Sequence, residues 1–216
     1  MPATEHSTSI RAIFWDFGGV ILSSPFHAFN EYERSHGLPV DFIRSVNATN
    51  PDTNAWARIE RHEIDANRFD GLFAEESAAL GHRIPGTDVL AMLSGSVRPE
   101  MVVALDRLIE AGYITACLTN NVRHPDPRTA RPEVDAVMAK FHHVVESSEV
   151  GCRKPEPRFY ELACEAASVA ADECVFLDDL GINLKPARAM GMTTIKVVDP
   201  DTALAELEAV VDLALR

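Results

Sequence analysis

The chain has 216 residues, of which 46% are hydrophobic and 25% are charged. This length fits one domain, or one core with an inserted subdomain, and the composition is ordinary for a globular protein. The formal charge of −13 excludes a general electrostatic footprint for nucleic acid or for an anionic membrane surface.

Targeting signals and membrane spans are not expected. The N-terminus lacks a charged region followed by an apolar one, and no run of about 18 apolar residues occurs. The four cysteines show no CxxC spacing, and Cys117 and Cys174 lie in apolar runs that are typical of buried free thiols. We therefore expect a cytoplasmic protein without a membrane partner.

The first predicted strand is the apolar run 11–16, RAIFWD, which ends in an acid and is followed by a glycine pair. Residues 24–97 show no strong strand pattern, and their helical segments are separated by glycine and proline breaks. This block predicts four or five short helices. A further helix opens at Pro99 and ends at Gly112.

Strands and helices alternate after this point. The predicted strands are 113–119, 142–149, 174–179 and 193–198, and the predicted helices are 132–141, 155–169, 183–190 and a last one marked by Leu204, Leu207 and Val211. Such alternation implies right-handed crossovers and a parallel sheet covered on both faces. We predict an α/β fold in which residues 1–23 and 98–216 form a Rossmann-like parallel sheet core and 24–97 form an inserted α-helical cap.

Chemically active side chains collect at the carboxyl ends of the predicted strands. They are Asp16 after the first strand, Thr119 and Asn120 after the second, Lys154 beyond the third, and Asp178 and Asp179 after the fourth. Clustered carboxylates suit Mg²⁺, whereas a hydroxyl, backbone N–H groups and a lysine suit phosphoryl oxygens. Asp16 would then be available as a carboxylate nucleophile.

These motifs, written hhhD-x-x-G-V, hhhTN, K-P and hhhDD in chain order, resemble those of the haloacid dehalogenase-like (HAD) hydrolase superfamily. The segments VGCRKPEPRFYE (150–161) and VFLDDLGINLKPARAMGMTTIKVVD (175–199) are most similar to the branch that includes the N-terminal phosphatase domain of soluble epoxide hydrolase. The resemblance covers nearly the whole chain, and it is strong from about residue 98 onward and weak in the cap.

The resemblance implies a Mg²⁺ site at Asp16. In this family the nucleophilic aspartate is also a metal ligand, and the residue at the position of Gly18 offers its backbone carbonyl. Asp179 corresponds to a direct metal ligand. Asp178 is expected to reach the metal through a water or a hydrogen bond.

The resemblance also implies how a phosphoryl group is held. The nucleophile becomes an aspartyl-phosphate, while Thr119 and the N–H of Asn120 bind the transferring group. Lys154 offsets its charge and orients the nucleophile. The implied activity is that of a Mg²⁺-dependent phosphatase acting on a small phosphorylated metabolite, as a monomer or a homodimer.

Gly18 is a departure from the common pattern of the family. Most phosphatases of this superfamily carry a second aspartate there, which protonates the leaving oxygen and later activates water. Losing a positioned acid or base typically lowers the rate by ~10²–10⁴-fold. Water, the substrate, or the cap residues His27, His62 and Glu63 are the candidate replacements.

Three functions therefore stay open. The first is the phosphatase, because other members of this branch carry glycine at this position. The second is a metal-independent 2-haloacid dehalogenase, whose first motif also lacks the second aspartate. The third is a degenerate, non-catalytic domain that binds a phospho-ligand or a partner. The retained nucleophile and the Asp178–Asp179 pair favour the first, with phosphomutase-like transfer as a variant.

The substrate is expected to be selected by the cap and by the loop after the second strand. In this architecture the core performs the phosphoryl chemistry and the cap selects the leaving group. Arg123 and His124, in that loop, are placed to contact a substrate beyond its phosphoryl group. Sugar phosphates, lipid phosphates and nucleotides all stay open.

Overall fold

The structure is a computed structural model that describes residues 9–122 and 131–216, so the predicted substrate contacts Arg123 and His124 lie outside the described residues. Five parallel strands form one sheet in the order β3-β2-β1-β4-β5. The strands are β1 Ala12–Trp15, β2 Ile114–Thr119, β3 His143–Glu146, β4 Cys174–Asp178 and β5 Thr193–Lys196. The predicted α/β fold, a Rossmann-like parallel sheet with a helical cap, is confirmed.

Helices surround this sheet and also fill the segment between β1 and β2. The helices of the core are α6 Pro99–Glu110, α7 Pro132–Met138, α8 Ser147–Val150, α9 Pro157–Ala167, α10 Gly181–Ala189 and α11 Pro200–Val211. Among the described residues, none of the helices has the length and apolar character needed to cross a lipid bilayer.

Strand β1 occupies the centre of the sheet and is buried on both faces. Ile13 and Trp15 belong to an apolar cluster with α6 and α11, whereas Ala12 and Phe14 belong to a second cluster with α9 and α10. Successive side chains of a strand point to opposite faces. The unbroken apolar run before Asp16 is therefore what a doubly covered parallel strand requires.

Five helices lie within the predicted cap segment 24–97, in agreement with the predicted four or five. They are α1 Phe26–Ser35, α2 Phe42–Ala48, α3 Ala55–Glu60, α4 Ala66–Ala79 and α5 Gly86–Ala91. Their apolar faces enclose a separate cluster that includes Phe29, Ile43, Phe69 and Phe73. The cap therefore has a small core of its own.

The chain passes between the sheet and the cap at two adjacent crossings. Leu22 forms an antiparallel bridge with Val97, and the N–H of Ser23 donates to the carbonyl of Ser96 at 2.8 Å. We propose that the cap boundary lies at these crossings, as the predicted bounds 24–97 imply.

The third strand is shorter than the predicted span 142–149. It stops at Glu146, and the following residues form α8 instead. The side chain of Asn121, beyond the end of β2, accepts from the N–H of Ser148 at 3.1 Å, which supports a helical turn there. Gly151, in the left-handed conformation, ends this turn.

Candidate active site

The acids and the lysine predicted from the strand ends meet at one edge of the sheet. Asp16 directly follows β1, Thr119 ends β2 and Asp178 ends β4. Central parallel strands end at the same edge, so the topology brings these side chains together. Only 7% of Asp16 and 1% of Lys154 are exposed to solvent. The cluster is therefore a buried polar site between the sheet and the cap.

Lys154 lies between two carboxylates. Its Nζ is 2.7 Å from Oδ1 of Asp16 and 2.8 Å from Oδ2 of Asp178. Burial alone lowers the pKa of Lys154, but the two acids together outweigh burial and raise the pKa. The lysine is therefore a permanent ammonium ion that fixes the orientation of Asp16.

The surroundings of Asp16 raise the pKa of its carboxyl group well above the usual value. Burial raises the pKa of its carboxyl group, the ammonium of Lys154 acts in the opposite direction, and the charges of Asp178 and Asp179 add to the rise. Oδ1 of Asp16 also accepts from the backbone N–H of Phe17 at 2.7 Å. Two donors thus hold the same carboxylate oxygen in place.

Asp16, Asp178 and Asp179 form an acidic cluster in which one oxygen of each lies within 4.8 Å of the others. Oδ1 of Asp178 accepts from the N–H of Leu180 at 2.8 Å, and Nδ2 of Asn183 is 3.1 Å from both of its oxygens. Burial and then the charge of Asp178 raise the pKa of Asp179 to about 6. Such a set of carboxylates matches the ligands that a hard divalent cation prefers.

The two glycines after the first acid differ in what they permit. Gly19 has a φ of +82°, and a Cβ there would lie 2.2 Å from Oδ2 of Asp179. Only glycine therefore allows this close approach. Gly18 has φ −71° and ψ 129°, and a Cβ there would meet no atom of the described residues within 4 Å. Position 18 thus has room for a side chain.

Asn120 has a role that the sequence pattern did not indicate. Its Oδ1 accepts from the N–H of Lys154 at 2.9 Å, and its Nδ2 donates to the carbonyl of Lys154 at 2.9 Å. The amide side chain therefore fixes the backbone of the lysine to the end of β2. The pattern assigned only the backbone N–H of Asn120, to phosphoryl binding.

The cap residues expected to replace the missing acid are not buried, whereas another cap acid is. His27 and His62 are exposed, and Glu63 is paired with an arginine of its own turn. Glu60, which the pattern did not single out, is only 5% exposed, and its Oε2 is 3.4 Å from Nδ2 of Asn120. The sequence feature that could have indicated Glu60 is its position at the end of a cap helix, just before the candidates His62 and Glu63.

Comparisons with known proteins assign the chain to one family. The family model of the haloacid dehalogenase-like hydrolases matches residues 10–191. "Acyl-CoA dehydrogenase family member 10" of Mus musculus is 32% identical over 212 residues, which is 96% of this chain and 20% of that protein. "Bifunctional epoxide hydrolase 2" of Mus musculus is 32% identical over 215 residues, covering 94% and 39%. The chain thus spans well under half of the length of either relative.

The chain is also similar to a shorter relative and to two solved structures. "Phosphatase MT3486" of Mycobacterium tuberculosis (strain CDC 1551 / Oshkosh) is 29% identical over 191 residues, 85% of each chain. A HAD family enzyme of Bacteroides thetaiotaomicron, solved with magnesium and inorganic phosphate, has a TM-score of 0.57 at 20% identity, covering 87% of this chain and 94% of that one. A dehalogenase solved with an intermediate complex has a TM-score of 0.64 at 20% identity, covering 95% and 99%. At this identity the two structures show a shared fold alone.

Proposed function

The chain is an enzyme of the haloacid dehalogenase-like hydrolase family, and we propose that it is a Mg²⁺-dependent phosphatase acting on a small phosphate ester. The observation that carries this proposal is the ammonium of Lys154, held between Asp16 and Asp178 beside the third acid, Asp179. A phosphatase that aligns with 85% of this chain supports the same reaction class.

The acidic cluster fits Mg²⁺. Asp16, Asp179 and the backbone carbonyl of Gly18 would hold the ion, which when bound neutralises charge on phosphoryl oxygens. The close approach of Asp179 to Gly19 supports this assignment, since no other residue at position 19 admits that carboxylate. Asp178 already accepts hydrogen bonds from protein donors, which favours an indirect contact with the ion.

Each step of the proposed phosphoryl transfer is assigned to particular residues of the chain. A carboxylate oxygen of Asp16 attacks phosphorus, and the bond from phosphorus to the leaving oxygen breaks with its electron pair going to that oxygen. Thr119 and the N–H of Asn120 hold the phosphoryl oxygens, and Lys154 offsets their charge. Water then attacks phosphorus, and the bond from phosphorus to the Asp16 oxygen breaks with its electron pair returning to the carboxylate. The proton of the attacking water leaves with the released phosphate.

The leaving oxygen has no acid at position 18 to protonate it. Its proton therefore comes from water or from the substrate itself. A leaving group that departs as a stable anion does not need this proton. We accordingly expect aryl phosphates to react faster than alkyl phosphates, by up to the ~10²–10⁴-fold that a positioned acid contributes.

A 2-haloacid dehalogenase is the second candidate. The observation in its favour is Gly18, since a halide leaves without a proton and needs no acid there. The Asp178–Asp179 pair beside Lys154 argues for a cation and a phosphoryl group instead. The intact contact between Lys154 and Asp16 argues against the non-catalytic alternative.

Two parallel assays distinguish these candidates. The first follows nitrophenolate release from p-nitrophenyl phosphate with Mg²⁺, after chelation with EDTA, and after Mg²⁺ is added back. The second follows halide release from 2-chloropropionate without metal. The phosphatase proposal expects Mg²⁺-dependent and reversible nitrophenolate release. Halide release alone would transfer the assignment to a dehalogenase, and activity in neither assay would favour the binding role.

A further inference from the structure

Two adjacent residues of the cap form ion pairs with the core loop that carries Lys154. Oε2 of Glu60 accepts from Nε of Arg153 at 2.5 Å, and Nη1 of Arg61 is 3.1 Å from Oε1 of Glu156. The charges are crossed, because a cap acid meets a core base and a cap base meets a core acid. The two ion pairs, which together we call the clamp, involve core residues on either side of Lys154 in the sequence.

Each arginine of this clamp has a second partner in the cap. Nη1 of Arg153 donates to the carbonyl of Pro51 at 3.1 Å, and Nη2 of Arg61 donates to the carbonyl of Asp52 at 2.7 Å. A guanidinium group can serve a carboxylate and a carbonyl at once because its donors form a rigid fork. The bond from Arg153 to Pro51 adds a further link between core and cap.

Glu60 is the most buried member of the clamp. Its Oε1 accepts from Nε1 of Trp56 at 2.8 Å, and its Oε2 faces both Arg153 and Nδ2 of Asn120. A buried carboxylate is tolerated only when it is paired and hydrogen-bonded. Glu60 therefore contacts the side chain next to Lys154 and the amide that holds the backbone of Lys154.

We propose that Glu60 is a positioning residue that acts on Lys154 through Arg153 and Asn120. With the cap against the core, Glu60 fixes the loop so that the ammonium group stays between its two carboxylates. This inference rests on the proposed function for its kinetic consequence. A misplacement of a catalytic group by about 1 Å can lower the rate by roughly 10²-fold.

Four variants test this role kinetically. They are Glu60→Gln, Arg153→Gln, the double variant, and Arg158→Gln as a control whose partners Glu161 and Glu165 lie on its own helix. In Glu60→Gln we expect kcat for p-nitrophenyl phosphate to fall between roughly tenfold and 10²-fold. KM should change little, and the double variant should be no worse than the more impaired single variant. The control should keep the wild-type rate.

A merely structural role predicts a different pattern. If Glu60 only stabilises the fold, its variant melts earlier but keeps kcat well below the melting temperature, and that result overturns the proposal. If Glu60 instead donates a proton, the loss is much larger for an alkyl phosphate than for p-nitrophenyl phosphate, which also overturns it. Arg153→Lys keeps the positive charge but loses the forked N–H donors of the guanidinium group. This milder variant is expected to lower kcat by less than Arg153→Gln does.

Hydrogen exchange tests the same inference without any turnover. The N–H of Lys154 donates to Oδ1 of Asn120, so its exchange reports how firmly the loop is held. We expect faster exchange of this amide in Glu60→Gln than in the wild type, and no change in Arg158→Gln. Unchanged exchange in Glu60→Gln overturns the positioning role. Absence of phosphatase activity in the wild type contradicts the proposed function but leaves this readout intact.

Discussion

Gly18 and Gly19 follow the proposed nucleophile, and each constrains the site in a different way. Gly19 must be a glycine because the carboxylate of Asp179 occupies the place of its side chain. Gly18 has backbone angles that any residue can adopt, and a Cβ there would have no described atom within 4 Å. Steric constraints therefore do not explain why position 18 lacks an acidic side chain.

Replacing Gly18 with aspartate tests this interpretation. The new carboxyl group would stand where the family commonly has its acid, so Gly18→Asp is expected to speed hydrolysis of an alkyl phosphate by ~10²-fold or more. Hydrolysis of p-nitrophenyl phosphate should change little, because nitrophenolate leaves without a proton. The measurement is kcat for both esters. An equal effect on the two esters would show that protonation of the leaving group does not limit the rate.

Replacing Gly19 with alanine is expected to weaken Mg²⁺ binding. The added Cβ strains a residue with φ +82° and displaces the carboxylate of Asp179. Strain of this kind costs about 1–2 kcal/mol, and a displaced ligand lowers metal affinity by roughly tenfold or more. A Mg²⁺ titration of the melting temperature measures both effects.

Gly112→Ala is the matched control for that variant. Gly112 has a φ of +89°, and a Cβ there meets no described atom within 4 Å. It therefore carries similar backbone strain without touching the acidic cluster. Equal Mg²⁺ affinity in the two alanine variants would contradict the placement of Asp179 at the metal.

At the level of elements, the strands were predictable and some of their ends were not. Apolar runs located the three central strands β1, β2 and β4, because a doubly covered parallel sheet needs continuous burial. The edge strands β3 and β5 are only partly buried and carry a weaker apolar pattern. Helix α8 was missed because the amide of Asn121, distant in sequence, supports its first turn. Helix α9 begins at Pro157 and not at 155, since Glu156 precedes a proline and stays extended.

The last helix offers a prediction for the pH dependence of stability. Glu208 accepts hydrogen bonds from the side chain of Arg216 and from the backbone N–H of Leu215. These bonds, of which the first has the larger effect, lower the pKa of Glu208 to about 2. A carboxyl group with a depressed folded-state pKa stabilises the protein above its unfolded pKa of roughly 4.5. This stabilisation is lost as the pH falls toward the folded pKa.

Glu208→Gln should therefore melt earlier than the wild type near neutral pH. The difference should narrow as the pH falls from about 5 toward about 2, because the carboxyl group is protonated first in the unfolded state and only near its folded pKa of about 2 in the native state. Melting curves of both proteins across this range provide the measurement. A difference that stays constant with pH would show that the charge of Glu208 does not stabilise the C-terminal segment.

For the whole molecule, topology explains which parts of the site were predictable. Residues at strand ends converge in any parallel sheet, so Asp16, Thr119 and Asp178 could be assigned together from the sequence. The contact between Glu60 and Arg153 joins residues 93 positions apart and follows no local pattern. The sequence therefore indicated the chemistry of the core, whereas the contacts between cap and core required the structure.

The measurement that tests the central claim most directly is the rate of p-nitrophenyl phosphate hydrolysis by Asp16→Asn beside the wild type, in saturating Mg²⁺. Asparagine keeps the shape of the side chain but cannot act as the nucleophile. We predict Mg²⁺-dependent hydrolysis in the wild type and a loss of roughly 10³-fold or more in Asp16→Asn. A variant that hydrolyses the ester at the wild-type rate would contradict the role of Asp16 and with it the proposed mechanism.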